Sequence, residues 1–316
     1  MYALYAGKVN ITTSKTEVME SFDMLRHQND SVRGGKVDSN LEQRLQLLDM
    51  HLMFQGRVNR STLIDHFNVG TATASRTFKT YFEANPHNGY FVGGKKGGHY
   101  IADDFEPAYE HDTDRVLQLL CSGLVSYQLN TKTYGPPSTG LPNALCAVSV
   151  ATVTRAMVSG KAVRIDYTSG TSGAASRTIH PHNIFAGGGA WYCRAFDEKS
   201  REFRTFRFSR ITQATSSDSS LMVGEDGEWN ASVVLSISPH NRHPNPQAHS
   251  FDLGMSDTAV YNQHTNAVVA GFLLTDLRVD SSEHGVLNPF EYPLRLLNRE
   301  ELEGVGSMSI APGFDV

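Results

Sequence analysis

The chain has 316 residues, 40% of them hydrophobic, a formal net charge of -5 and a mean hydropathy of -0.33. That length predicts two or three domains with separate cores and excludes a single small domain. The apolar stretches are too short to span a bilayer, Met1 to Asn10 lacks the layout of a signal peptide, and Cys121, Cys146 and Cys193 fit neither a disulfide framework nor a zinc knuckle, so a cytoplasmic protein with reduced thiols is expected.

The net charge hides a gradient. Lys and Arg outnumber Asp and Glu by six to two over residues 57–102 and by ten to four over 155–216, whereas residues 217–316 carry four against fourteen. Two basic segments ahead of an acidic one predict polyanion contact by the first two and protein or solvent contact by the third. Drift of charge is the plainer alternative.

Residues 1–39 hold one predicted helix, opened by the capping box Ser14-Lys15-Thr16-Glu17, before a polar linker with Gly34-Gly35. A second capping box, Ser39 with Glu42, opens a stronger helix with Leu41, Leu45, Leu48, Leu52 and Met53 at helical spacing; Gly56 ends it. Arg57-Val58-Asn59 reads as an extended entry, Ser61 as the cap of a short helix over 62–67, and Asn68-Val69-Gly70 as its closing turn. The next helix, over 71–83, places Ala74, Phe78, Tyr81 and Phe82 on one face and Ala72, Thr73, Arg76, Lys79 and Thr80 around the other. Pro86 stops it, and residues 89–101 read as two strands around a glycine-rich tip carrying Lys95 and Lys96.

This is the order of a winged helix-turn-helix, here over residues 40–104. A recognition helix shows small or hydrogen-bonding side chains to base edges while its other face packs. Thr73 and Arg76 are therefore candidates for base contact, Thr71, Thr77, Lys79 and Thr80 for phosphate, and Lys95 and Lys96 for wing contacts. A helical packing module with solvated Thr and Arg is the alternative.

Residues 105–154 form a helical linker, with helices predicted over 113–124 and 150–159 and a loop over 135–140. From Lys161 the period becomes alternating. Strands over 162–167, 178–185, 190–197 and 202–211 predict a small bent sheet or SH3-like barrel within residues 155–216. In the third strand Tyr192, Arg194 and Phe196 share one face and Trp191, Cys193 and Ala195 the other. The run from Phe203 to Arg210 interleaves arginine with aromatic residues. Guanidinium forks pair with phosphate and aromatic faces stack on bases, so the mixture suits a nucleotide or short nucleic acid. Solvated arginines on a sheet surface are an equal alternative.

The stretches Ser176-Arg-Thr-Ile-His-Pro-His182, Trp191-Tyr-Cys-Arg-Ala-Phe196 and Phe203-Arg-Thr-Phe-Arg-Phe-Ser-Arg-Ile211 resemble the WYL domain, named for a Trp-Tyr-Leu triplet. With a winged helix in front, the chain resembles the WYL transcriptional regulators of bacterial phage-defence islands, of the BrxR and CapW type. Val233-Val-Leu-Ser-Ile-Ser-Pro-His240 and Asp252-Leu-Gly-Met255 resemble the C-terminal extension of that group, so the resemblance spans residues 40–316. Residues 1–39 fall outside it, as an extra dimer-contact helix or a start assigned too far upstream. Cys193 replaces the usual Leu on the face opposite Tyr192 and Arg194, which bears on packing.

The resemblance implies an α+β multidomain chain: a winged helix, an SH3-like or Sm-like WYL barrel and an α+β dimerisation domain over residues 228–316. It implies a homodimer that represses a phage-defence operon through a palindromic operator and is released by an anionic, nucleotide or nucleic-acid ligand. The implied effector site is Tyr167, Ser169, His180, Tyr192, Arg194, Arg204, Arg207 and Arg210. Such a protein is cytoplasmic and nucleoid-associated, needs no cofactor and is not an enzyme.

Enzyme motifs are weak. Gly93-Gly-Lys-Lys-Gly-Gly98 lacks the Ser or Thr of a P-loop, and neither GxSxG nor HExxH occurs. His180 with His182, and His240 with His243 and His249, have metal-binding chemistry, but their proline neighbours read as loops. Two rivals stand: a WYL subunit holding single-stranded nucleic acid for a partner enzyme, and an inactive oligomerisation module.

Overall fold

The computed structural model describes residues 39–94, 97–122, 145–256 and 260–315. The predicted first helix, Lys95, Lys96 and the loop over 135–140 lie outside these residues.

Helix α1 (Ser39–Gln55) starts at the predicted capping box and buries Leu48, Leu52 and Phe54. Strand β1 (Arg57–Val58) leads into α2 (Arg60–Phe67), whose cap is Asn59 rather than Ser61. Asn59 is extended (φ -129°), and its side-chain oxygen accepts from the Thr62 N–H at 3.0 Å. The Ser61 hydroxyl donates to that same oxygen at 2.6 Å, so the predicted cap supports the real one. Asn68 closes α2 in the left-handed region (φ 50°, ψ 45°), which an asparagine tolerates better than a branched residue. Helix α3 (Thr71–Ala84) follows, then β2 (Gly89–Val92) and β3 (Gly98–Ile101); the entry strand β1 pairs with β3 to make a three-stranded wing of order β1-β3-β2.

Helices α4 (Thr113–Ser122) and α5 (Ala147–Ser159) precede a second sheet. Its strands are β4 (Val163–Ser169), β5 (Gly173–Gly187), β6 (Ala190–Asp197), β7 (Glu202–Arg207) and β8 (Ile211–Ser216), in the order β7-β6-β5-β4-β8. The alternation over 202–211 does not belong to one strand: a 3-10 turn at Phe208–Arg210 buries Phe208 and reverses the chain, so that β8 pairs with β4. The sheet bends far enough for the Tyr167 hydroxyl of β4 to accept from the Arg207 N–H of β7 at 3.3 Å. Among the described residues no ladder joins β7 to β8, so the expected barrel is an open, strongly bent sheet.

The predicted linker is not a tether. Helix α5 buries Val150, Ala151 and Val153 in one core that runs from Leu47 of α1 to Ala214 of β8. Thr154 donates to the Phe54 carbonyl at 2.7 Å and Arg155 to that of Met53 at 2.6 Å, while Trp191 donates to Asp114 of α4 at 2.7 Å. The winged helix and the five-stranded sheet are therefore packed as one body.

The C-terminal unit has a core of its own around Leu235, Ile237, Leu274, Val279, Leu294 and Met308. A short helix α6 (Gly227–Asn230) enters it. Strands β9 (Ser232–Pro239), β10 (Tyr261–Asn266), β11 (Val279–Asp280) and β12 (Leu294–Leu296) form a sheet of order β10-β9-β12-β11, with α7 (Pro246–Asp252) and α8 (Ala270–Asp276) between its strands in the chain. Helix α8 docks on the five-stranded sheet through Phe272. A Cβ on Gly187 would lie 2.7 Å from that of Phe272, so the contact needs glycine there. Among the described residues no helix is long and apolar enough to cross a membrane.

Candidate nucleic-acid interface and ligand cleft

Helix α3 turns Ala74, Phe78 and Tyr81 inward, against α1 and the wing, which leaves Thr71, Arg76, Lys79 and Thr80 exposed and Thr73 half-buried. Arg76 has no ion pair among the described residues. Among the described residues Lys79 has only an exposed pair with Glu83 at 3.6 Å, which a phosphate can replace at small cost. Thr77 corrects the sequence reading. It is buried, its hydroxyl donates to the Thr73 carbonyl at 3.1 Å and accepts from Arg44 Nε at 3.2 Å, and it fastens α3 to α1 instead of reaching outward. Arg60, exposed at the start of α2, donates to Ser75 at 3.3 Å and adds a cation beside α3 that the sequence reading did not single out.

A cleft of about 910 Å³ opens between the five-stranded sheet and the C-terminal unit. Of the predicted effector residues, Tyr167, Ser169, Arg194, Arg204 and Arg210 line it together, joined by Arg177, Lys199 and Thr205. Phe272, Ser307 and Ile310 form part of the opposite wall. Five cationic side chains line the cleft with two carboxylates, Glu202 and Glu228, while Asp197 and Asp226 pair with Arg177 and Arg194 beside it. Lys199 and Arg210 are exposed with no ion pair among the described residues, whereas Arg177 is engaged by Asp197 and Arg204 by Glu202 at 2.9 Å.

Arg194 is the deepest of these cations, only 5% exposed. Its Nε donates to Asp226 at 2.7 Å, and its terminal nitrogen to Asp226 at 3.2 Å and to Glu228 at 2.6 Å. Burial alone would raise the Asp226 pKa, but the Arg194 hydrogen bonds, the Trp229 N–H and the Arg194 charge outweigh it and hold the carboxyl below its ordinary value. His182, 3.1 Å from Asp226, has its pKa lowered, chiefly by burial.

The structure does not bring His180, Tyr192 or Arg207 to this cleft. His180 bonds Glu198 at 2.7 Å and lines a separate recess of about 520 Å³ with Lys161, His182 and Trp229. Tyr192 stacks on Phe185 with ring centroids 5.4 Å apart and meets Phe272 at 4.7 Å, so it cements the docking of α8. Arg207 has a buried Nε with no partner among the described residues. Cys193 is fully buried, and burial pushes its thiol up to about 12.

Two family matches fall on these units: the BrxR transcriptional regulator winged helix-turn-helix domain on residues 40–122 and the WYL domain on residues 149–216. The chain is similar to WYL-domain transcriptional regulators, with a match to a BrxR-type winged helix-turn-helix ahead of a match to the WYL domain. Among curated relatives, the DNA-binding transcriptional repressor CapW of Stenotrophomonas maltophilia is 28% identical over 223 residues, 67% of this chain and 74% of that one. CapW of Escherichia coli is 26% identical over 212 residues, covering 63% and 69%, and that of Pseudomonas aeruginosa 25% over 209, with the same coverage. A solved structure, proteasome accessory factor B/C of Arthrobacter aurescens, matches 88% of this chain at 14% identity with a TM-score of 0.24; the chain spans 50% of its length.

The sequence reading names Arg194, Arg204 and Arg210 of the cleft lining, places Arg207 there as well, and does not name the wall supplied by the C-terminal unit. Phe272 and Ser307 lie far along the chain from the WYL strands, and no local spacing points to them. Arg177 and Lys199 carried a usable signal, since both fall in the basic segment 155–216.

Proposed function

We propose that this regulator is a homodimeric, sequence-specific repressor of a phage-defence operon, acting in the cytoplasm on nucleoid DNA. The coarser statement, a DNA-binding repressor and not an enzyme, agrees with the CapW relatives and the BrxR-type winged helix. The observation that carries it is the face of α3, where Thr71, Arg76, Lys79 and Thr80 stand exposed behind a packed inner face. The open, bent WYL sheet supplies the effector cleft for a nucleotide or nucleic acid, and residues 228–316 supply the dimer contact.

The division of cores supports a mechanism. Winged helix and WYL sheet share one core, whereas the C-terminal unit has its own and meets the sheet across the cleft. In a dimer held by the C-terminal units, an anion filling the cleft reorients each DNA-binding body relative to the two-fold axis. The recognition helices then leave the spacing of about 34 Å that successive major grooves require.

Arg76→Ala tests this reading. A base-reading arginine lost from α3 is expected to weaken binding to the chain's own upstream region by roughly 1–3 kcal/mol in fluorescence anisotropy. Unchanged affinity would instead fit an oligomerisation module or an accessory subunit that meets nucleic acid only through the WYL cleft.

A further inference from the structure

The two carboxylates on Arg194 are not equivalent. Asp226 is buried, takes two of the guanidinium hydrogen bonds and accepts the Trp229 N–H at 3.2 Å, so it is built into the fold. Glu228 has a side chain 58% exposed and takes a single bond from Arg194, at 2.6 Å. It lines the cleft, and its other oxygen lies over Gly306, where an added Cβ would stand 3.2 Å from it.

We propose that Glu228 is a built-in anion that occupies Arg194 until a ligand phosphate displaces it, and so sets the ligand concentration at which the cleft fills. The proposal rests on the reading of the cleft as the effector site. A carboxylate held by one charge-assisted bond and open to water exchanges readily, whereas a doubly bonded, buried one does not. Any anion that uses Arg194 must first release Glu228, a like-for-like exchange that yields little by itself. A phosphate group carries more charge and more acceptor oxygens than a carboxylate, and the same cleft offers it Arg210 and Lys199, neither of which has an ion pair among the described residues. A phosphate ester therefore clears the threshold where a simple carboxylate does not. The shared chemistry is the phosphate, whether of a free nucleotide or of a nucleic-acid strand.

Isothermal titration calorimetry on the full-length protein, with thymidine 5′-monophosphate and a short oligothymidylate as probes, separates the outcomes. Glu228→Gln is expected to bind at least one probe about tenfold more tightly than the unaltered protein, the equivalent of one exposed charge-assisted hydrogen bond. Glu202→Gln removes the other cleft carboxylate, which pairs with Arg204 and not Arg194, and is expected to gain less than about twofold. A gain confined to the mononucleotide marks a free nucleotide as the source; a gain confined to the oligothymidylate marks a strand. Equal gains in the two variants would reduce the effect to general charge and overturn the proposal. No gain in Glu228→Gln would overturn it while leaving the cleft as a phosphate site. No binding of either probe to any of the proteins would overturn both.

Discussion

Asp49→Ala is expected to lower the unfolding free energy by about 3–5 kcal/mol, the cost of breaking a buried charged network by removing one member. Asp49 of α1 is fully buried and holds three donors from separate parts of the chain. One oxygen accepts from the Tyr81 hydroxyl of α3 and from the Ala108 N–H at 3.0 Å; the other faces His111 Nε2 at 2.7 Å. Asn88 extends the network, donating to the Tyr81 oxygen at 3.0 Å and to the Glu106 carbonyl at 2.7 Å. Burial and the Asp49 carboxylate push the Tyr81 phenol well above its ordinary pKa, so the phenol stays protonated and remains the donor. The alanine variant strands these donors in the core and removes one of the ties between α3 and α1. Urea unfolding followed by far-ultraviolet circular dichroism measures the loss; a change below about 1 kcal/mol would contradict the role assigned to the network.

Arg194→Ala is expected to have an effect of similar size, about 3–5 kcal/mol, because it leaves Asp226 buried without its cation. The sign of the pH dependence follows. Asp226 has a depressed folded pKa, so its contribution is complete above the ordinary carboxylate pKa and is lost as pH falls through the folded value. Without Arg194 most of that depression is lost, so the variant loses this pH-dependent contribution and is destabilised less by acid than the unaltered protein. Thermal melting should show a lower Tm for the variant near neutral pH and a gap between the two proteins that narrows as pH falls through the acid range; coincident curves for the two proteins would contradict the assignment. The variant is thus a structural lesion as well as a ligand lesion, and Arg204 and Arg210, exposed on the cleft, give cleaner tests of ligand response.

Much of the winged helix was legible in sequence because its signals are local. A left-handed Asn68 and a proline stop each act within one turn of helix, and the inner face of α3 follows from residue spacing. The errors came where two local solutions compete or where distant contacts decide. Asn59 and Ser61 can both cap α2, and the extended backbone of Asn59 selects it. Thr77 lies at the edge of the inner face, and only the approach of Arg44 from α1 turns it inward. Alternation over 202–211 gave the face of each residue but not the 3-10 turn that ends β7, which depends on the pairing of β8 with β4. Tyr192 was placed on the correct face of β6, yet α8, which covers it, comes 78 residues later in the chain at Ala270.

Competition binding on the chain's own upstream region tests the central claim most directly. With labelled upstream duplex at fixed salt, a tenfold excess of unlabelled upstream duplex should displace the label while the same excess of random duplex leaves most of it bound, as sequence reading by α3 requires. Equal displacement by the two competitors would contradict a sequence-specific repressor.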